Sequence, residues 1–252
     1  MVKIAGSKKL KRQMAPLFWG ITRKDKRFVV TVNPGSHGKN HSIPSAVFLR
    51  DTLKIVKTLR EAKFAIYGGK VTVDGIKRKS LHHGIGLMDV IELDGLNEIY
   101  RLVPKNGELL KPIVIDSTEK SKKLVQVKSK TTIKSGKTQI GFHDGRSLID
   151  ETEISVGDVC LLQIPEQKIL DVIKLEKDAQ VLIIKGVNAG NIGIVNEVKE
   201  GTFVLPKRIE VKLEDREIEI QANLVMPIGK EKPMIGVKWL NDTRNWKCNE
   251  IN

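Results

Sequence analysis

The sequence predicts an α+β chain that is mostly β, and three observations carry that expectation. Apolar residues recur at helical spacing in one stretch only, residues 44–67. From residue 70 to residue 230 the apolar residues fall into short alternating runs closed by turn residues. The first forty residues carry dense positive charge and no apolar period at all.

Residues 1–41 read as a basic N-terminal arm. Residues 1–50 hold 11 basic side chains and one acidic one, out of a formal net charge of +14 for the 252 residues. Lys8, Lys9, Lys11 and Arg12 lead this arm, and Gly20, Pro34, Gly35 and Gly38 interrupt any helix. Such a segment is expected to order only against a partner that neutralises it. Phe18-Trp19 would anchor it to the body or stack on a base.

Residues 42–97 read as a helical segment followed by a small sheet. Leu49, Leu53, Val56, Leu59 and Ile66 form the expected buried stripe, and Pro44 suits a first helical position. Arg50, Lys54, Lys57, Arg60 and Lys63 form a basic stripe beside it. Thr58 with Glu61 fits a capping box, which would break and restart the helix, and Gly68-Gly69 ends it. "KVTVDG" then alternates into an Asp74-Gly75 turn, with Lys77, Arg78 and Lys79 beside it, and "GLMDVIEL" closes the unit.

Residues 98–175 read as a central small β-domain. A hairpin is expected about Asn106-Gly107, with further strands at 123–127, 137–141, 159–164 and 169–173 and another turn and strand in "HDGRSLI". Residues 176–230 read as a small barrel of five strands at 181–184, 193–198, 203–205, 210–213 and 217–221. Residues 231–252 form an irregular tail in which Trp239 and Trp246 could anchor.

Several chemistries fail on spacing. "KSGKT", Lys134 to Thr138, lacks the first glycine of a phosphate-binding loop and sits in a strand pattern. "GVNAGNIG" leads into an alternating run, without the helix a dinucleotide site needs. Its glycines instead fit a turn that lets the backbone approach something closely, and Lys185, Asn188 and Gly190 could face a sugar-phosphate chain. Two cysteines, Cys160 and Cys248, make no disulfide framework, and the histidines lack zinc-site spacing. His143-Asp144 has no accompanying nucleophile pattern. No catalytic residue, metal, cofactor or small-molecule substrate is expected, nor a membrane span.

Five stretches in order resemble the S4e family of small-subunit ribosomal proteins, in its archaeal form. "LKRQMAPLFW", Leu10 to Trp19, is similar to the family's basic block. Ser42 to Gly75 resembles the alpha-L RNA-binding motif, two short helices on a small sheet with a basic face toward RNA. "GLMDVIEL" and "HDGRSLI" match further blocks, and "KGVNAGNIGIV", Lys185 to Val195, is similar to a KOW turn of an SH3-like barrel. The resemblance implies a non-catalytic constituent of the small ribosomal subunit, cytoplasmic and in the ribosome. Its implied partners are small-subunit rRNA and neighbouring small-subunit proteins. The candidate RNA-binding residues are those named above with Trp19, Lys39 and His41. An RNA-modifying enzyme carrying the alpha-L motif, such as a pseudouridine synthase, and a transcription elongation factor carrying the KOW turn are the rival readings.

Overall fold

The computed structural model describes residues 9–105, 108–134, 136–150, 152–213, 216–230 and 233–236. Lys8, the Asn106-Gly107 turn, Trp239, Trp246 and Cys248 lie outside the described residues.

The arm is part of the body. Strand β1 (Leu10–Lys11) pairs antiparallel with β2 (Phe28–Val29), Leu10 opposite Val29. Arg12 closes the loop between them: its Nη1 donates to the carbonyl of Thr22 at 2.7 Å and sits 3.6 Å from Asp25. Leu10, Ala15, Trp19 and Val32 are buried in the main core, and the Trp19 indole N–H donates to the carbonyl of Ser42 at 2.9 Å. The expectation of an arm that orders only on a partner is therefore corrected for residues 9–41. Isolated anchors at irregular spacing give no period, but each buries real surface; a fully buried tryptophan is worth about 3 kcal/mol or more.

Strand β3 (Ser42–Pro44) leads into a single turn, α1 (Ser45–Val47), and a turn of π-helix, Phe48–Thr52. There the first helix stops, because Lys54 adopts a positive φ of 55° and residues 53–58 are irregular. The chain restarts as α2 (Leu59–Tyr67), where Thr58 Oγ1 accepts from the Glu61 N–H at 3.2 Å and the Glu61 carboxylate returns to the Thr58 and Lys57 amides. The predicted capping box is thus real, while the helix before it is shorter than the apolar spacing implied. Ala62 and Ile66 face the core, and Leu59 is half out in solvent.

Strands β4 (Val71–Val73) and β5 (Ile76–Lys77) form a hairpin whose two turn residues, Asp74 and Gly75, have φ of 52° and 74°. That is the turn chemistry Asp-Gly favours, because both positions need φ > 0. Strand β6 (Gly84–Gly86) pairs with β3, and β7 (Val90–Leu93) pairs with β4. The hairpin of β8 (Ile99–Lys105) and β9 (Glu108–Ile115) then extends the same sheet, in the order β5-β4-β7-β8-β9. The expected boundary at residues 97/98 therefore falls inside a hydrogen-bonded sheet and is corrected. Turn residues at 94–97 mark a loop, which sequence cannot tell from a domain border.

A second sheet has the order β12-β11-β10-β13-β14. Its strands are β10 (Lys122–Thr132), β11 (Thr138–Phe142), β12 (Ser147–Ile149), β13 (Val159–Gln163) and β14 (Lys168–Ile173). The third sheet contains β15 (Gln180–Ile183), β16 (Ile192–Lys199), β17 (Arg208–Lys212), β18 (Glu217–Gln221) and β19 (Val225–Gly229), ordered β18-β17-β16-β15-β19. Five strands are present as expected, with one exchanged for another. Phe203–Leu205 is an exposed turn, in which the Thr202 N–H donates to the Leu205 carbonyl at 2.9 Å. The fifth strand is β19, masked in sequence by Pro227; it lies at the sheet's end, where a missing N–H is tolerated.

One core joins these parts. Leu124, Val159 and Ile173 of the second sheet and Leu182, Met226 and Ile228 of the third pack with the arm and the first sheet. Two smaller apolar clusters fill the second and third sheets themselves.

Candidate nucleic-acid interface

Two sets of charged side chains come together, and they differ in burial. The first is interior. Lys123 of β10, fully buried, places its ammonium 2.7 Å from Asp74, 2.6 Å from Asp89 and 3.1 Å from Asp144. Arg146 reaches Asp74 at 2.6 Å and Asp144 at 3.2 Å, and His37 Nε2 lies 3.0 Å from Asp89. Backbone amides complete the carboxylates: Val90 donates to Asp74 at 3.0 Å and Gly86 to Asp89 at 2.8 Å. Burial alone would lower the Lys123 pKa, but Asp89, Asp74 and Asp144 outweigh it and raise it. Asp89 is opposed by its own burial, yet His37 and Lys123 hold its carboxyl well below the ordinary value. His143 is pushed down to about 4, first by burial and then by Lys123. Its Nδ1 accepts the Gln126 N–H at 3.1 Å and its Nε2 lies 3.3 Å from the Leu87 carbonyl, the pattern of a neutral ring protonated on Nε2.

The second set lies on the surface and holds Lys54, Lys57, Arg60, Lys63, Lys77 and Lys79 of the expected site residues. Along α2, Arg60, Lys63, Phe64 and Tyr67 share the face opposite Ala62 and Ile66. Phe64 is 75% exposed and Tyr67 52%, and the Lys63 ammonium sits 5.5 Å from the Tyr67 ring centre. The β4–β5 hairpin continues this face, since the stems of Lys79 and Lys77 pass over Gly69, at the end of α2. Lys54 and Lys57 are exposed on the irregular link before α2 and Arg50 lies in the π-helical turn, so the expected basic stripe is split among three segments. The only carboxylate in α2, Glu61, is held below its ordinary pKa by the Lys57 amide and the Thr58 hydroxyl, and so belongs to the cap.

Several expected contacts are spent on the fold. Trp19 and Arg12 are buried, as described, so neither can stack on a base or meet a phosphate. Arg50 makes a two-pronged pair with its neighbour Asp51, at 2.6 Å for the shorter contact. Arg78 is half-buried. Gly190, with φ of 94°, does allow a close backbone approach, but to this chain: an added Cβ would lie 2.6 Å from Lys105 Cα and 2.8 Å from the Pro104 carbonyl oxygen. Asn188 accepts a hydrogen bond from Arg216. Lys9 and Lys11 remain exposed, and the Lys9 ammonium stands 5.6 Å from the Phe28 ring centre. Lys39, His41 and Lys185 lie elsewhere, where the arm meets the third sheet, with Lys185 Nζ 3.3 Å from His41 Nε2.

Sequence reading missed Phe64 and Tyr67, whose signal was present: 60, 63, 64 and 67 recur at one helical face. Cys160 is buried and its thiol is pushed up, first by burial and then by Asp158 and Asp150, to about 12, which makes it inert. Among the described residues no cluster of three or more His, Cys, Asp or Glu could hold a metal ion, and no helix is long and apolar enough to cross a membrane.

Comparison with proteins of similar sequence and shape decides the kinship. Ribosomal family S4e matches residues 96–169, and the RS4NT (NUC023) domain matches residues 5–40. The small ribosomal subunit protein eS4 of Ignicoccus hospitalis is 36% identical over 249 residues, covering 93% of this chain and 97% of that protein. The chain belongs to ribosomal family S4e. The eS4 protein of Caldivirga maquilingensis is 38% identical, over 90% of this chain and 98% of its own length. The crystal structure of the 30S ribosomal protein S4e from Thermoplasma acidophilum has a TM-score of 0.65 at 31% identity, covering 76% of this chain and 97% of that one. The mostly β fold of this S4e chain is the one seen in that relative.

Proposed function

We propose that this S4e chain is a structural constituent of the small ribosomal subunit, in the cytoplasm, that binds small-subunit rRNA through its exposed basic face without performing catalysis. One observation carries the reading: Arg60 and Lys63 on α2, and Lys77 and Lys79 whose stems pass over Gly69 at its end, are exposed, with no carboxylate paired to them among the described residues. Cations so arranged neutralise phosphates and release counterions, which gives salt-dependent affinity with little base readout. Phe64 and Tyr67 add two surfaces on which an unpaired base can stack. The family's small-subunit relatives support the same role.

In this reading residues 42–97 act as an alpha-L unit, extended by the β8–β9 hairpin, and the third sheet acts as a KOW-type barrel. Neighbouring small-subunit proteins are the further partners. The Asp74, Asp89 and Asp144 carboxylates speak against an RNA-modifying enzyme, because Lys123 and Arg146 already consume them and an active-site base must be free to take a proton.

Sedimentation tests the role. The chain should travel with small subunits at low salt and be stripped only at high salt. Recovery solely as free protein, or turnover of bare rRNA by the purified chain, would count decisively against it.

A further inference from the structure

Beyond the α2 face, a histidine and two lysines distant in sequence lie within electrostatic reach of one another. His41 ends the 3-10 turn Lys39–His41 of the arm, Lys128 lies in β10, and Lys185 follows β15 at the mouth of the glycine-bearing turn. Lys185 Nζ approaches His41 Nε2 to 3.3 Å. Lys128 occupies a bulge: the β10–β11 register slips between Val127 and Ser129, so this residue has no partner across the ladder. A bulge commonly re-aims one side chain, and Lys128 is exposed there.

The electrostatics agree with the geometry. The His41 pKa is lowered by burial and then by Lys185, with smaller effects from His37 and Lys128, and only the backbone at Asn40 opposes them. The Lys128 pKa is lowered by burial and then by Lys185. No carboxylate acts on either group. Around Lys123, by contrast, every cation has acidic partners. The Lys185 ammonium donates to the neutral His41 ring, while Lys128 and Lys185 repel each other at an accessible surface, and an anion entering beside them relieves that repulsion.

We propose that His41, Lys128 and Lys185 form one binding site for a backbone phosphodiester of RNA. The inference rests on the rRNA-binding role argued above. The site is assembled from the arm, the second sheet and the third sheet, so the phosphate bridges all three. Lys128 and Lys185 supply charge, and His41 donates a hydrogen bond once the phosphate favours its protonated form.

The test uses the full chain and its cognate small-subunit rRNA, with affinity measured across a salt series. The triple variant His41→Gln, Lys128→Gln, Lys185→Gln should bind more weakly, with the slope of log affinity against log salt reduced by about 1, the loss of a single phosphate contact. An unchanged slope overturns the proposal while leaving rRNA binding intact, and a reduction near 3 overturns the single shared site in favour of three separate contacts. Failure of the unaltered chain to bind rRNA would sink the functional reading and this site together. The second measurement needs no variant: the His41 imidazole, followed by NMR, should gain protons at a higher pH when rRNA is added. Inorganic phosphate at the same phosphate concentration should leave it unmoved. An equal response to inorganic phosphate would make this a free-anion site and overturn the RNA assignment.

Discussion

The Lys123 cluster and the α2 face are built from the same residue types and do opposite work. In the interior, Lys123 and Arg146 meet three aspartates, and Lys123 and all three carboxylates are buried. On α2, Arg60 and Lys63 meet solvent, and Lys63 also meets the Tyr67 ring. The first arrangement joins the arm, the first sheet and the second sheet. The second has no carboxylate paired to it among the described residues. The comparison teaches that a surplus of +14 does not identify which cations bind a partner; pairing and burial do.

The sharpest way to break this comparison is to remove the interior cation. Lys123→Met leaves Asp74, Asp89 and Asp144 buried with only Arg146 and His37 to answer them. The expected loss is roughly 3–5 kcal/mol, the cost of orphaning buried charge, read by chemical denaturation. A loss below about 1 kcal/mol would mean the cluster is wetter than its burial implies.

Trp19→Ala tests whether the arm belongs with the interior or the surface. Deleting a fully buried indole and its hydrogen bond to Ser42 should cost about 3 kcal/mol in the absence of RNA. An unaltered thermal midpoint for the free protein would return the arm to the class of partner-dependent segments.

Acid separates the two regions next. The folded pKa of His143 lies below its unfolded value, so unfolding takes up protons as pH falls from about 6.5 toward about 4. Asp89 and Asp144 are likewise depressed, and their stabilisation is lost as pH falls below the ordinary carboxylate range. Both signs agree: stability should drop by about 2 kcal/mol or more between pH 7 and pH 4. Denaturation midpoints independent of pH across that window would contradict the interior assignment.

The smallest stability effect belongs to the surface. Arg60→Ala with Lys63→Ala should change folding by no more than about 0.5 kcal/mol each, yet lower the salt slope of rRNA binding by about 2 if both touch phosphates. A stability loss matching that of Lys123→Met would erase the distinction between the two regions.

The legibility of the sequence follows the range of the forces involved. The Thr58–Glu61 cap and the Asp74-Gly75 hairpin are local, and both are visible as short strings. Strand alternation marked the second sheet nearly throughout. What failed was nonlocal. Asp74 reads as a turn residue, and no local string marks Asp89 or Asp144 as a partner of Lys123, which the fold brings to them across two sheets. The arm's anchors carry no period, so Trp19 and Arg12 passed as RNA-facing. The exchange of 203–205 for β19 arose because β-propensity favoured Phe-Val-Leu and disfavoured Pro227, while the sheet's end tolerated the proline.

The contact at Gly190 has a mechanical meaning. Because that turn rests directly on Pro104 and Lys105, the third sheet is clamped to the first at a fixed separation. A long polyanion crossing from one to the other then meets a rigid caliper, whose jaws were set during folding, and loses little orientational freedom to align them.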